Sequence, residues 1–296
     1  MITLHALFRI ISELPLQCRR LKLRRRETKS TPQSRCTIGL TNPRAHRLEK
    51  LAIKLAKDGP IKILPTPRLI QLLFNGAYIV RTTTAHHVWE VPYYPQLYFH
   101  KSALTGSQAK GFTAKQLDAI KDDNGKNIAH KYSLSVGQRS TDQCFVFADD
   151  LSGPAESLRS LVKVDFGSMD QWLEEATPIF VHPKDPFKRV DILHSTRPIK
   201  VSIDGIVIAE ANSSMHLYET GLPVRFYMAL TDVRPDVLKP TSVRTRCPYK
   251  GEAEYYSVDL GNGKVLENVV WYYNRPTLES AKIEGEIAFS YHNRPC

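Results

Sequence analysis

The spacing of hydrophobic positions changes character once along the chain, near residue 60. Leu48, Leu51, Ala52 and Leu55 fall on one face of a short helix over 44–59, which Asp58-Gly59-Pro60 should stop. Beyond it the apolar runs are short and separated by turn residues, the mark of a β-rich fold. Leu69–Phe74, Asn75-Gly76 and Ala77–Val80 read as a hairpin, because Asn-Gly supplies the positive φ values of a two-residue type I′ turn. The device recurs where Ile199, Val201 and Ile203 alternate with polar residues, Asp204-Gly205 turns the chain and Ile206–Ala209 returns.

These two hairpins belong to a longer repeat. Residues 68–104 align with 197–233 without a gap, with identities at Arg68/Arg197, Ile70/Ile199, Gly76/Gly205, Ile79/Ile208, His87/His216, Glu90/Glu219 and Tyr98/Tyr227. A later block pairs Tyr132-Ser133-Leu134 with Tyr256-Ser257-Val258, Gly137 with Gly261, and Phe147 with Trp271. Matching blocks in the same order indicate duplication of a whole domain. The organisation expected is a basic tail over 1–43, disordered or targeting, and the helix at 44–59. A first, degenerate repeat at 60–166, a connector at 167–194 and a second repeat at 195–296 follow. Three prolines make the connector extended, with His182 solvated. The second repeat has no counterpart of 167–180 after it, which leaves open what covers that edge.

Charge adds one qualification. The formal net charge is +11, but residues 1–50 hold twelve arginines and lysines against Glu13, Glu27 and Glu49, so the folded body is nearly neutral. That argues against nucleic-acid binding by the body. The arginine-rich tail also fits a mitochondrial presequence; otherwise a cytoplasmic protein is expected. No apolar run is long enough to span a bilayer as a helix. Five cysteines without a Cys-x-x-Cys pair signal neither a disulfide scaffold nor a cysteine zinc site, and no metal or cofactor is expected.

Chemistry is densest at Thr245-Arg246-Cys247-Pro248-Tyr249-Lys250-Gly251. Cys247 beside Arg246 and Lys250 has the surroundings of a nucleophilic or redox thiol, and equally the character of a buried, inert cysteine. Lys250 and Arg225 suit a carboxylate or phosphate, unless both pair with Glu219 or Glu252. Gly251 permits a tight turn or a close backbone approach. Trp271 with Tyr255, Tyr256, Tyr272 and Tyr273 forms an aromatic wall or part of a core. His86 and His87 face opposite sides of a strand and cannot easily share a metal, and no spacing selects a catalytic triad around His216 and Glu219.

Glu219, Pro223-Val224-Arg225-Phe226-Tyr227, Cys247-Pro248-Tyr249-Lys250-Gly251, Trp271 and Gly285-Glu286-Ile287-Ala288-Phe289 follow one another as in the family of domain of unknown function 427, which residues 197–291 resemble. Residues 60–191 look like the degenerate leading copy of its tandem fungal members. The resemblance implies a mainly β protein of two tandem β-tent-like domains, the fold of methionine sulfoxide reductase B and of the ligand-binding domain of cereblon. The family sometimes carries a nucleotidyltransferase label, but this chain shows no glycine-rich phosphate loop and no paired metal-binding aspartates. The leading copy aligns Asp123–Asn127 with the Cys247–Gly251 motif, Gln96 with Arg225 and Phe147 with Trp271, keeping only Glu90, Tyr98 and Lys126.

A single site in the second repeat is therefore expected. Glu219, Arg225, Tyr227, Lys250, Gly251 and Trp271 would hold an anionic, partly planar small molecule, with Cys247 the one catalytic candidate. Two other readings stay open: a non-catalytic module for a peptide or protein, and a thiol-dependent or transferase enzyme using Cys247.

Overall fold

The computed structural model describes residues 2–6 and 43–290. The expectations for residues 7–42 lie outside the described residues. Two compact units share the chain, one formed by Ser34–Asp185 and the other by Met1–Gln33 with Pro186–Cys296. Each is built on a seven-stranded antiparallel sheet.

The strand order is the same in both. In the first unit it runs Lys62–Thr66, Ala85–Val91, Tyr94–His100, Leu161–Val164, Arg139–Phe147, Asn127–Val136, Phe112–Lys121. In the second it runs Val190–Ser195, Ser214–Glu219, Arg225–Met228, Ile287–Phe289, Val265–Tyr272, Gly251–Asp259, Leu238–Cys247. Two segments with one topology are the physical content of the duplication, and the protein is mainly β with one long helix, Pro43–Asp58.

One face of each large sheet packs on a hairpin. Ile70–Phe74 and Ala77–Thr82 turn at Asn75 and Gly76, with φ of 46° and 76°; Ile199–Ile203 and Ile206–Ala211 turn at Asp204 and Gly205, with φ of 51° and 80°. Both central residues of a type I′ turn need positive φ, so the sequence-local signal survives into the structure. Ile70, Leu72, Phe74, Phe99, Leu134 and Val162 form this core in the first unit, and Ile199, Val201, Ile203, Phe226, Val258 and Val270 form it in the second.

The segment read as a connector is more ordered than its prolines suggest. Gln171–Glu174 pairs with Ile70–Phe74 and Thr177–Ile179 continues that sheet. Its prolines fall at or beyond the outer strand, where a missing ladder donor costs little. His182 is not solvated: it is buried, stacks on Tyr94 at 4.2 Å and places Nδ1 2.7 Å from the carbonyl of Pro183. The second unit has another strand at the same edge. Ile2–Ala6 lies parallel to Ile199–Ile203, so this stretch of the tail is packed as a strand, and an edge of exposed backbone groups is closed.

The opposite face distinguishes the two units. In the first, Leu48, Ala52 and Leu55 of the helix cover Val88, Tyr98, Phe145 and Phe147. The helix ends where Gly59 takes φ +74° and donates its N–H to the carbonyl of Leu55. A Cβ at Gly59 would lie 2.5 Å from the carbonyl oxygen of Pro154. Gly59→Ala is therefore expected to destabilise the first unit by about 1–3 kcal/mol, from unfavourable φ plus the clash, measurable as a lowered thermal transition. In the second unit, the described residues supply the corresponding face only with the short turn Leu278–Ile283, through Ile283.

Candidate functional site

The face of the second unit that, among the described residues, has only the Leu278–Ile283 turn over it carries the motif. Tyr227 is fully buried at its centre, with Leu217, Ala253, Tyr273 and Ala288 around it and Tyr255 and Trp271 packed against them. Alternation along the strands brings these residues to one side, because side chains two apart share a face. Trp271 donates Nε1–H to the Tyr227 hydroxyl at 3.1 Å, and the Arg225 guanidinium stands over the Trp271 ring at 5.6 Å. Thr245 and Tyr255 join hydroxyls at 2.7 Å beside them.

Lys250 and Glu219 form a buried ion pair, their side chains 10% and 7% exposed. Lys250 reaches it because the turn before Gly251 is fixed from behind. Thr277 and Ser280 donate their hydroxyls to the carbonyl of Tyr249, and the Thr277 N–H donates to the carbonyl of Lys250 at 3.1 Å. Gly251 adopts φ +102°, and a Cβ there would lie 3.0 Å from the carbonyl oxygen of Arg275. Its role is thus both turn and close approach. Arg246 pairs with Glu252 at 2.9 Å on the exposed side of the hairpin.

Cys247 is half-buried and unoxidised. Burial pushes the Tyr227 phenol up; Trp271's hydrogen bond opposes this, Cys247 adds to it, Arg225 opposes it and Glu219 adds to it. The same burial raises Tyr273, again with Tyr227, Cys247 and Glu219 among its neighbours. Both phenols are kept neutral, as hydrogen-bonding groups. Direct contacts thus join Tyr227, Trp271 and Arg225 in one group and Lys250 with Glu219 in another, Cys247 and Glu219 being within electrostatic reach of Tyr227, and Gly251 lies at the base of the hairpin that delivers Lys250. Cys144 of the first unit is different: it is fully buried and its thiol is pushed far up.

Strand register corrects two correspondences between the copies. Trp271 lies opposite Ala288, and in the first unit the strand Leu161–Val164 sets Lys163 opposite Phe145. Phe145, not Phe147, is the counterpart of Trp271, and Phe147 corresponds to Tyr273. The second copy has two more residues between these strands, Tyr255 pairing with Trp271 where Lys131 pairs with Phe145, which slides the alignment by two. Likewise Cys247 pairs with Gly251 as Lys121 pairs with Asn127, so Lys121, not Asp123, holds the cysteine's place.

The first copy also has a lysine–glutamate pair, its lysine buried and its glutamate half-buried, which the sequence did not reveal. Lys163 lies 2.6 Å from Glu90, which accepts from the Tyr98 hydroxyl at 2.9 Å, and Lys163 reaches Gln96 at 3.2 Å. Lys126, the sequence match of Lys250, instead pairs with Asp150 near the surface at 3.6 Å. Lys163 occupies the register position of Ala288, on a different strand from Lys250, so no motif comparison could find it. With Phe145 and the helix above, this version is closed and internally satisfied. A separate groove in the first unit, lined by Ala77, Tyr78, Arg81, Ser102 and Lys110, shares none of these residues.

Among the described residues, no group of three or more His, Cys, Asp or Glu could hold a metal, and no helix is long and apolar enough to cross a membrane. The fold and its two unequal faces define a duplicated β protein in which a polar, aromatic face lies under a long helix in one copy and, among the described residues, under a short turn in the other. The chain belongs to the family of domain of unknown function 427, whose model matches residues 62–175 and 191–294. No curated protein matches the chain at a significant level.

Proposed function

We propose that the partly exposed Arg225–Trp271 side of this face in the second copy binds a small anionic molecule with a planar part. The observation that carries this reading is the placement of Arg225 over Trp271 beside the buried Lys250–Glu219 pair, on the face that the first copy fills with Lys163, Phe145 and a helix. Lys250 and Glu219 cancel one another, and the Arg225 guanidinium adds a further cation to this face, seated over the Trp271 ring. The guanidinium supplies paired donors for a carboxylate or phosphate, and the Trp271 and Tyr255 rings offer a flat apolar contact. Lys250 acts in this reading as a positioning residue that fixes Glu219 and the hairpin rather than as the anion grip. The reading requires no covalent step; Cys247 is the group through which one would run.

Thermal shift with adenosine monophosphate and with benzoate as planar-anion probes tests this. At least one is expected to raise the transition of the second unit by mass action, with affinity at least about tenfold weaker in Arg225→Ala and in Trp271→Ala. Gln96→Ala, at the place of Arg225 in the first copy, should leave it unchanged. A shift that survives Arg225→Ala, or no shift with either probe, ends the reading. An alkylation rate of Cys247 well above that of free cysteine would extend it to thiol chemistry.

A further inference from the structure

The two units differ at the outer edge of the hairpin sheet, and the first shows what the second lacks. In the first, Gln171–Glu174 runs antiparallel to Ile70–Phe74 with Glu174 opposite Ile70. The Glu174 carboxylate binds Arg68, and its other oxygen stands 3.9 Å from Nε2 of His87. Arg197, Ile199 and His216 repeat Arg68, Ile70 and His87 in the second unit. There, however, the strand beside Ile199–Ile203 is Ile2–Ala6, running parallel, with Ile2 opposite Ile199.

Among the described residues, no carboxylate pairs with Arg197. Its guanidinium donates to Nδ1 of His216 at 2.9 Å, a neutral lone pair in place of a charge. With Nδ1 accepting, Nε2 of His216 carries the proton. Desolvation first, and the Arg197 charge second, hold His216 below its ordinary pKa and so keep it in this neutral form. Among the described residues, Nε2 of His216, which is 1% exposed, and Oγ of Ser214, 4% exposed, have no hydrogen-bond partner; Nε2 of His87 has none either, but it faces the Glu174 carboxylate at 3.9 Å, a charge that has no counterpart at His216.

We propose that the edge of Ile199–Ile203 is an acceptor for an extended acidic segment of a partner protein, entering antiparallel with a carboxylate opposite Ile199 and displacing Ile2–Ala6. The ladder hydrogen bonds supply sequence-independent affinity, and the carboxylate on Arg197 and His216 supplies selectivity. The resident strand is exchangeable because it is five residues long, pairs in the slightly weaker parallel manner and brings no acid to the place where Glu174 stands in the first unit.

The chain contains its own probe. A labelled peptide with the sequence of residues 170–180 carries the strand that fills this place in the first unit. Measured by fluorescence anisotropy, it is expected to bind the full chain saturably, and at least about tenfold more tightly once residues 1–6 are deleted. Substituting glutamine for the glutamate of the peptide that corresponds to Glu174, or Arg197→Ala in the protein, is expected to weaken binding at least about tenfold. Hydrogen exchange on the unaltered chain serves if the deletion fails to fold: the peptide should speed exchange at residues 2–6 while 199–203 stay protected. Unchanged exchange at residues 2–6 under saturating peptide overturns the proposal. So does equal binding of the glutamate and glutamine peptides.

Discussion

Lys250→Met is expected to destabilise the second unit by about 3–5 kcal/mol, because it leaves the Glu219 carboxylate buried without its cation. The pair lies almost wholly out of water. Removing both charges should cost far less, since a buried pair replaced by apolar groups of similar volume is often neutral or better. Lys250→Met with Glu219→Leu should therefore recover most of the loss. Calorimetry of the single and double variants checks this, and a double variant no better than Lys250→Met would show that the hairpin before Gly251, not the charge, is what the lysine maintains.

Leu55→Ala is expected to cost the first unit about 2–5 kcal/mol, the usual range for a buried leucine that leaves a cavity. Leu55 is 1% exposed and shares a cluster with Tyr98, Phe145 and Phe147, side chains held by strands that cannot collapse onto the vacated volume. The alkylation rate of Cys247, in the other unit, should be unaffected. A loss below about 1 kcal/mol would mean that the helix is an accessory rather than the cover of that face.

These effects are expected in different units because one duplicated face has two fates. The first copy holds a cation on Leu161–Val164, a phenylalanine in place of Trp271 and a helix above them. The second holds its cation on the hairpin before Gly251 and keeps Arg225 and Trp271 beside a thiol. In both, a buried tyrosine and a glutamate largely withdrawn from water persist at the same places, Tyr98 with Glu90 and Tyr227 with Glu219, and in both a lysine neutralises the carboxylate.

The sequence alone determined what local physics controls. Asn75-Gly76 and Asp204-Gly205 define turns because positive φ is cheap there; Leu48, Ala52 and Leu55 define a helical face by spacing; the ordered identities from Arg68/Arg197 onward define a duplication. The motif around Cys247 and Lys250 was legible for the same reason, since its members are neighbours in the chain. Only the tertiary structure decided which residues meet across strands. Lys163 became the partner of Glu90 through the register of a four-residue strand lying between two others, and hairpins of unequal length moved the counterpart of Trp271 from Phe147 to Phe145. The closing of the second unit's edge by Ile2–Ala6 is of the same kind: strand pairing is a contact between backbones far apart in sequence, and side-chain pattern specifies it weakly.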